Sequence, residues 1–151
     1  MKKTTLWLLP LVLVAACSSP TEYTDVPLVK NSDTGRWYSN AQVDEGAALF
    51  ATNCAGCHGV DASSTDQWKK TDINGNYPPP PLNGTAHAWH HPINVLSQVI
   101  EEGGIAMGGQ MPSFSGQFDY QQKLSLIASF QSYWNDKVYD TWVLREKASR
   151  E

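Results

Sequence analysis

The chain has little cysteine: three in 151 residues, at Cys17, Cys54 and Cys57. That excludes a fold held by a network of disulfides, even in an oxidising compartment. Positive charge is also scarce. Eleven Lys and Arg stand against fifteen Asp and Glu, a formal net charge of −4. This balance argues against nucleic acid or anionic lipid as a partner, and suits either a basic protein surface or plain solubility. Long apolar runs are missing apart from Leu6 to Ala16, which is shorter than the ~20 residues of a permanent membrane helix. There is no internal repeat and no pair of alternating segments that reads as a strand pair.

What is present begins with the leader. Lys2 and Lys3 precede the apolar run, which ends Val14-Ala15-Ala16-Cys17. A positive start, a short apolar stretch and small residues at the cut make an export signal. The added cysteine resembles the lipobox of bacterial lipoproteins, which implies removal of residues 1–16 and a lipid on Cys17. The competing reading is an ordinary export signal in which the Cys falls by chance. Cleavage before Cys17 removes two lysines and no acid, so the net charge drops from −4 to −6. Residues 17–38 are polar, lack periodicity and contain Pro20 and Pro27, so they read as a flexible tether. At ~3.3 Å per residue such a tether reaches several nanometres.

Residues 39–135 carry the helical signals of one domain. Ser39 and Gln42 have capping-box spacing before a helix whose apolar stripe is Val43, Ala47, Phe50 and Cys54. Residues 71–81 form a loop that ends in four prolines, Pro78 to Pro81. Pro92 opens a second helix with Ile93, Leu96 and Ile100 on its buried side, and Gly103-Gly104 closes it. Asp119 and Gln122 cap a further helix with Leu124, Ile127, Phe130 and Trp134 on one face. Residues 136–151 are a charged extension in which Tyr139, Trp142 and Leu144 stand at helical spacing. It is either a further helix packed on the domain or a partner contact. The fold class is all-α, with long loops.

The chemistry lies in Cys54-Ala55-Gly56-Cys57-His58, the C-x-x-C-H pattern of haem c attachment. Two thiols three positions apart each form a thioether to one haem vinyl group, and the next residue brings an imidazole to the iron. Two other readings compete. A thioredoxin-like pair would begin a helix in a βαβ setting, whereas this motif follows a helix in a strandless chain. A zinc site would need more Cys or His at matching spacing, and the folded part has no third Cys.

Around this motif, Gly46-Ala-Ala-Leu-Phe50, Pro80-Pro-Leu-Asn-Gly84, Met111-Pro-Ser-Phe114 and Ile127-Ala-Ser-Phe-Gln-Ser-Tyr-Trp134 follow in order. From about residue 40 to 134 the chain resembles the class I (mitochondrial-type) monohaem cytochromes c, in a bacterial lipoprotein form. The resemblance implies a small helical bundle around one haem, with its first and last helices crossing near Gly46, Phe50 and Trp134. It implies His58 and Met111 as the axial ligands, with Met107 the rival for the second, and the Pro80 carbonyl as acceptor for the His58 ring. His/Met ligation fills both axial positions and raises the potential, which favours electron transfer over catalysis.

His87, His90 and His91 surround Trp89 and exceed what the resemblance explains. At i, i+3, i+4 they would share a helical face. They line the haem or a partner, bind a second metal such as copper or zinc, or are ordinary surface. Trp68 covers the haem, meets a partner or is a packed surface residue. The overall expectation is a lipid-anchored, non-enzymatic carrier on the cell membrane or outer membrane. It faces the periplasm and passes single electrons between redox proteins, with no small-molecule substrate. The alternatives are the haem-bearing electron-entry subunit of a larger oxidoreductase, and a haem sensor or enzyme with a labile Met111.

Overall fold

The computed structural model describes residues 28–151. Its helices are α1 (Asn40–Asn53), α2 (Ala55–His58), α3 (Ile93–Glu102), α4 (Tyr120–Gln131) and α5 (Asp136–Ala148). Two 3-10 turns, Ala88–His90 and Ile105–Met107, flank α3, and no strand occurs among the described residues.

Both expected capping boxes form. The Ser39 hydroxyl accepts the Gln42 N–H at 3.3 Å, and the Gln42 side chain accepts the Ser39 N–H at 3.0 Å. Asp119 and Gln122 repeat the exchange at 2.8 and 3.0 Å. Each box satisfies two donors that the start of a helix leaves unpaired, so α1 and α4 begin where the sequence indicates.

These two helices cross in direct backbone contact. A Cβ built on Gly46 would lie 1.8 Å from the Ser125 carbonyl oxygen, so only glycine fits. The contact corrects the expected stripe of α1. Ala47 is exposed, while Gly46 and Phe50 are buried and Val43 and Leu49 pack against the core. α1 turns its smallest residue to α4, which apolar periodicity does not detect. α4 is buried from Lys123 to Gln131, with the Lys123 ammonium reaching Glu101 at 2.8 Å. Trp134, expected at the crossing, sits beyond the end of α4. Its indole N–H donates to the Leu82 carbonyl at 2.7 Å.

α3 buries Ile93, Leu96 and Ile100 and ends at Gly103, whose φ of +80° suits glycine. α5 packs on the body through Tyr139, Trp142 and Glu146, while Leu144 is exposed. Tyr139 of α5 and Gln131 of α4 draw in the chain before α1. The Trp37 N–H donates to the Tyr139 hydroxyl at 2.9 Å, the Trp37 indole donates to Gln131 at 2.7 Å, and Arg36 lies over the Tyr139 ring. Trp37 and Tyr38 are buried. The tether expected to run to residue 38 therefore ends before Arg36, because these aromatic residues are core. The leader, Cys17 and residues 18–27 lie outside the described residues. Among the described residues no helix is long and apolar enough to cross a membrane.

Candidate functional site

The end of α1 folds directly into the C-x-x-C-H motif. The Cys54 N–H still bonds to Phe50 at 2.8 Å, while its carbonyl accepts from Cys57 at 3.1 Å and His58 at 2.9 Å. One tight turn thus carries both thiols and the imidazole. Both cysteines are free thiols, Cys54 half-buried and Cys57 exposed. Burial, with Cys57 adding to it, pushes the Cys54 thiol up to about 11. An attacking thiol of a dithiol exchange pair is shifted the other way. Among the described residues, no group of three or more His, Cys, Asp or Glu is arranged to hold a metal ion. Neither the strand setting of a thioredoxin-like pair nor the further ligands of a zinc site are found among the described residues.

His58 is buried, and its Nδ1 lies 2.9 Å from the Pro80 carbonyl. A carbonyl only accepts, so Nδ1 carries the proton and Nε2 keeps its lone pair. Burial lowers the affinity of the ring for a second proton, and the Pro80 bond opposes this in part. The ring is a neutral, oriented donor, the form in which imidazole binds iron.

The four-proline loop is tied to the segment after the motif. The Ser64 hydroxyl donates to Pro79 at 2.6 Å, and the Leu82 and Asn83 N–H groups both donate to Ala62, at 2.8 and 3.2 Å. Trp134 holds Leu82 from the other side, and a Cβ on Gly84 would lie 3.0 Å from its ring. The sequence reading missed Ala62 and Ser64; neither residue type carries a signal of its own.

Met111 lies on the loop after α3. Its carbonyl accepts the Gly104 N–H at 2.9 Å, and a Cβ on Gly103 would come within 2.6 Å of the same oxygen. Its side chain packs against the core, whereas Met107 is 66 % exposed on the 3-10 turn.

The three histidines do not share a face. The Ala88–His90 turn is too short, and His91 is already extended. His87 and His91 meet edge to face at 5.4 Å between ring centroids, while His90 lies on Trp89 at 3.7 Å. Trp68 stacks on His87 at 4.8 Å.

A paired-thiol turn with a neutral buried imidazole, and a thioether on a second loop of an all-helical frame, fit a haem joined through sulfur; the class is the c-type cytochromes. The family model described as "Cytochrome C oxidase, cbb3-type, subunit III" matches residues 41–128, more than half of the chain, and the chain belongs to this family. The family carries covalent haem c, transfers electrons and exchanges them with other redox proteins. The match ends inside α4 and leaves α5 outside. No curated protein and no solved structure gave a match.

Proposed function

We propose that this chain is a membrane-anchored, single-haem carrier that faces the periplasm and passes electrons one at a time between redox proteins. The bound haem supplies the one-electron chemistry. Cys54 and Cys57 would attach it, His58 Nε2 and the Met111 sulfur would ligate its iron, and Cys17 would bear the anchoring lipid. The observation that carries the reading is the His58–Pro80 hydrogen bond at 2.9 Å. It leaves one lone pair on a buried ring held in the same turn as two free thiols. Two protein ligands on the iron would leave no open position for a substrate, which supports transfer over catalysis.

Redox titration of the purified holoprotein, followed by its visible spectrum, tests the ligand set. Met111→Ala should lower the midpoint potential markedly, because a soft neutral thioether favours the reduced metal. Met107→Ala should leave it unchanged. The reverse result moves the ligand to Met107.

A second reading has support in the family description, which names an oxidase subunit. In it the chain is the electron-entry subunit of a larger oxidoreductase, with α5 as a contact. The size of the detergent-solubilised species decides: a lone chain favours the carrier, a stable larger complex the subunit.

A further inference from the structure

Beside the Gly46 crossing, α1 and α4 leave a shallow groove. Ala47, Phe50 and Ala51 of α1, Val60 after the C-x-x-C-H turn, and Phe130 and Tyr133 at the end of α4 line it, and no charged side chain does. Phe50 and Phe130 are buried and form the floor. The walls are open: Val60 is 84 % exposed, Tyr133 52 %, and Ala47 and Ala51 are exposed as well. One exposed apolar residue on a surface needs no explanation, but several around one aromatic floor mark a contact site.

The rim is acidic. Asp44 stands three residues before Ala47, so the two are neighbours on the surface of α1. Asp61 follows Val60. Both carboxylates are exposed, and neither forms an ion pair among the described residues. Ser63 donates to Asp61 through its N–H at 3.1 Å and its hydroxyl at 2.6 Å, which favours the ionised form. An apolar centre inside a polar rim is the usual anatomy of a protein interface.

The floor also reaches the candidate haem site. The Phe50 ring lies 6.4 Å from the His58 ring, centroid to centroid. Phe130 lies 6.2 Å from Trp134, whose indole holds the Leu82 carbonyl. Phe50 thus meets the groove on one side and the buried imidazole on the other.

We infer that this groove docks a protein partner presenting one large apolar side chain, aromatic or leucine, framed by lysine and arginine. The apolar side chain seats over Phe50 and Phe130, and the bases pair with Asp44 and Asp61. A buried anchor with a charged frame is how interfaces concentrate their affinity and orient the partner. The chain's net charge of −4 draws a basic partner and repels a second copy. That the partner is a redox protein rests on the function proposed above; the fit of the groove to its chemistry does not.

The test uses isotope-labelled, full-length holoprotein at low salt, titrated with three peptides and followed by NMR. The probe is acetyl-Lys-Lys-Trp-Lys-Lys-amide. One comparison peptide has Ser in place of Trp, and the other has Glu in place of every Lys. The probe should shift the Val60 methyl and Tyr133 ring signals. The Ser peptide should bind several-fold more weakly, and the Glu peptide should leave these signals where they are. Ala51→Gln fills the groove with a neutral chain at an exposed helical position and should weaken the probe several-fold; Asp61→Asn should weaken it less. Unmoved groove signals, or an equal response to the acidic peptide, would overturn the inference, and the wild-type comparison decides this without any variant. Groove signals that move with protein concentration alone would place a second copy there. Groove signals that move on deletion of residues 18–27 would place the chain's own segment there. Either outcome also overturns the inference. A colourless wild-type protein would sink the proposed function by itself, separately from any peptide result.

Discussion

The Glu146 carboxylate of α5 accepts the backbone N–H of Ile93, the first residue of α3, at 2.7 Å. Pro92, in the N-cap position, has no side chain able to accept this hydrogen, so α3 receives its cap from a residue 53 positions later. Glu146 is 3 % exposed, and its other oxygen accepts two N–H bonds from Arg150, at 2.7 and 2.9 Å. A negative charge at the positive end of a helix adds to the bond. α5, beyond the family match, therefore caps the start of α3.

Glu146→Ala should destabilise the protein by about 1.5–3 kcal/mol, the range for a hydrogen bond to a charged group. Glu146→Gln should cost less, because the amide oxygen still accepts from Ile93. Thermal unfolding followed by circular dichroism checks the order. Equal melting temperatures for all three would show that α5 does not support α3.

Gly46→Ala should be among the most damaging single-methyl changes in the chain. The added carbon would sit 1.8 Å from Ser125 oxygen and 2.4 Å from its carbonyl carbon. These are backbone atoms that move only if the helices separate. Overpacking costs about 1–3 kcal/mol and at times more, so chemical denaturation should show a loss at or above that range. A Gly46→Ala protein as stable as the wild type would refute the crossing.

Capping chemistry was legible in the sequence because it is local: Ser39–Gln42 and Asp119–Gln122 announce two helix starts within four residues. The C-x-x-C-H turn was legible for the same reason, since both thiols and the ring sit in one covalent unit. Pairs set by tertiary packing were not. Nothing near Glu146 signals Ile93, and nothing near Trp68 signals His87. The histidine spacing suggested one helical face, but a three-residue 3-10 turn followed by an extended His91 splits the group. Trp37 and Tyr38 read as the end of a polar tether because their partners, Gln131 and Tyr139, lie about a hundred residues away.

Stability should fall steeply in alkali. Burial pushes the Tyr38 hydroxyl from 10.0 up to about 12, Arg36 opposing and Tyr139 adding to the shift. Between these values the unfolded chain has lost the proton and the folded chain has kept it. The folded state then binds more protons, so stability declines as pH rises through the interval. The contribution is complete below about 10 and gone above about 12. Tyr38→Phe should flatten the fall in melting temperature across that window. An unchanged slope would move its origin to Tyr139, which burial also shifts upward.

Membrane attachment should depend on one sulfur. If Cys17 carries the lipid, Cys17→Ser removes that anchor, and no described helix is long and apolar enough to cross a membrane. Fractionation of cells should find wild type in the membrane pellet and Cys17→Ser in the soluble periplasmic fraction, both coloured by haem. Retention of the variant in the pellet would point to the apolar run at residues 6–16 as an uncleaved anchor.

Trp134 connects the end of α4 to the loop whose Pro80 carbonyl holds His58. Its indole N–H fixes the Leu82 carbonyl at 2.7 Å, two residues past Pro80, and its ring fills the space over Gly84. Trp134→Phe keeps most of the ring but leaves that carbonyl without its donor, at a cost of about 1–3 kcal/mol. The proline loop then gains freedom at the point where it holds His58. If His58 ligates the haem iron as proposed, a looser His58–Pro80 bond gives a less basic imidazole, which would stabilise the oxidised state less. The midpoint potential of Trp134→Phe should therefore rise while the visible spectrum keeps its His/Met character. A fall in potential, or no change beside a measurable loss of stability, would mean that the Pro80 carbonyl is held by the Ser64 and Ala62 ties alone and that Trp134 only packs.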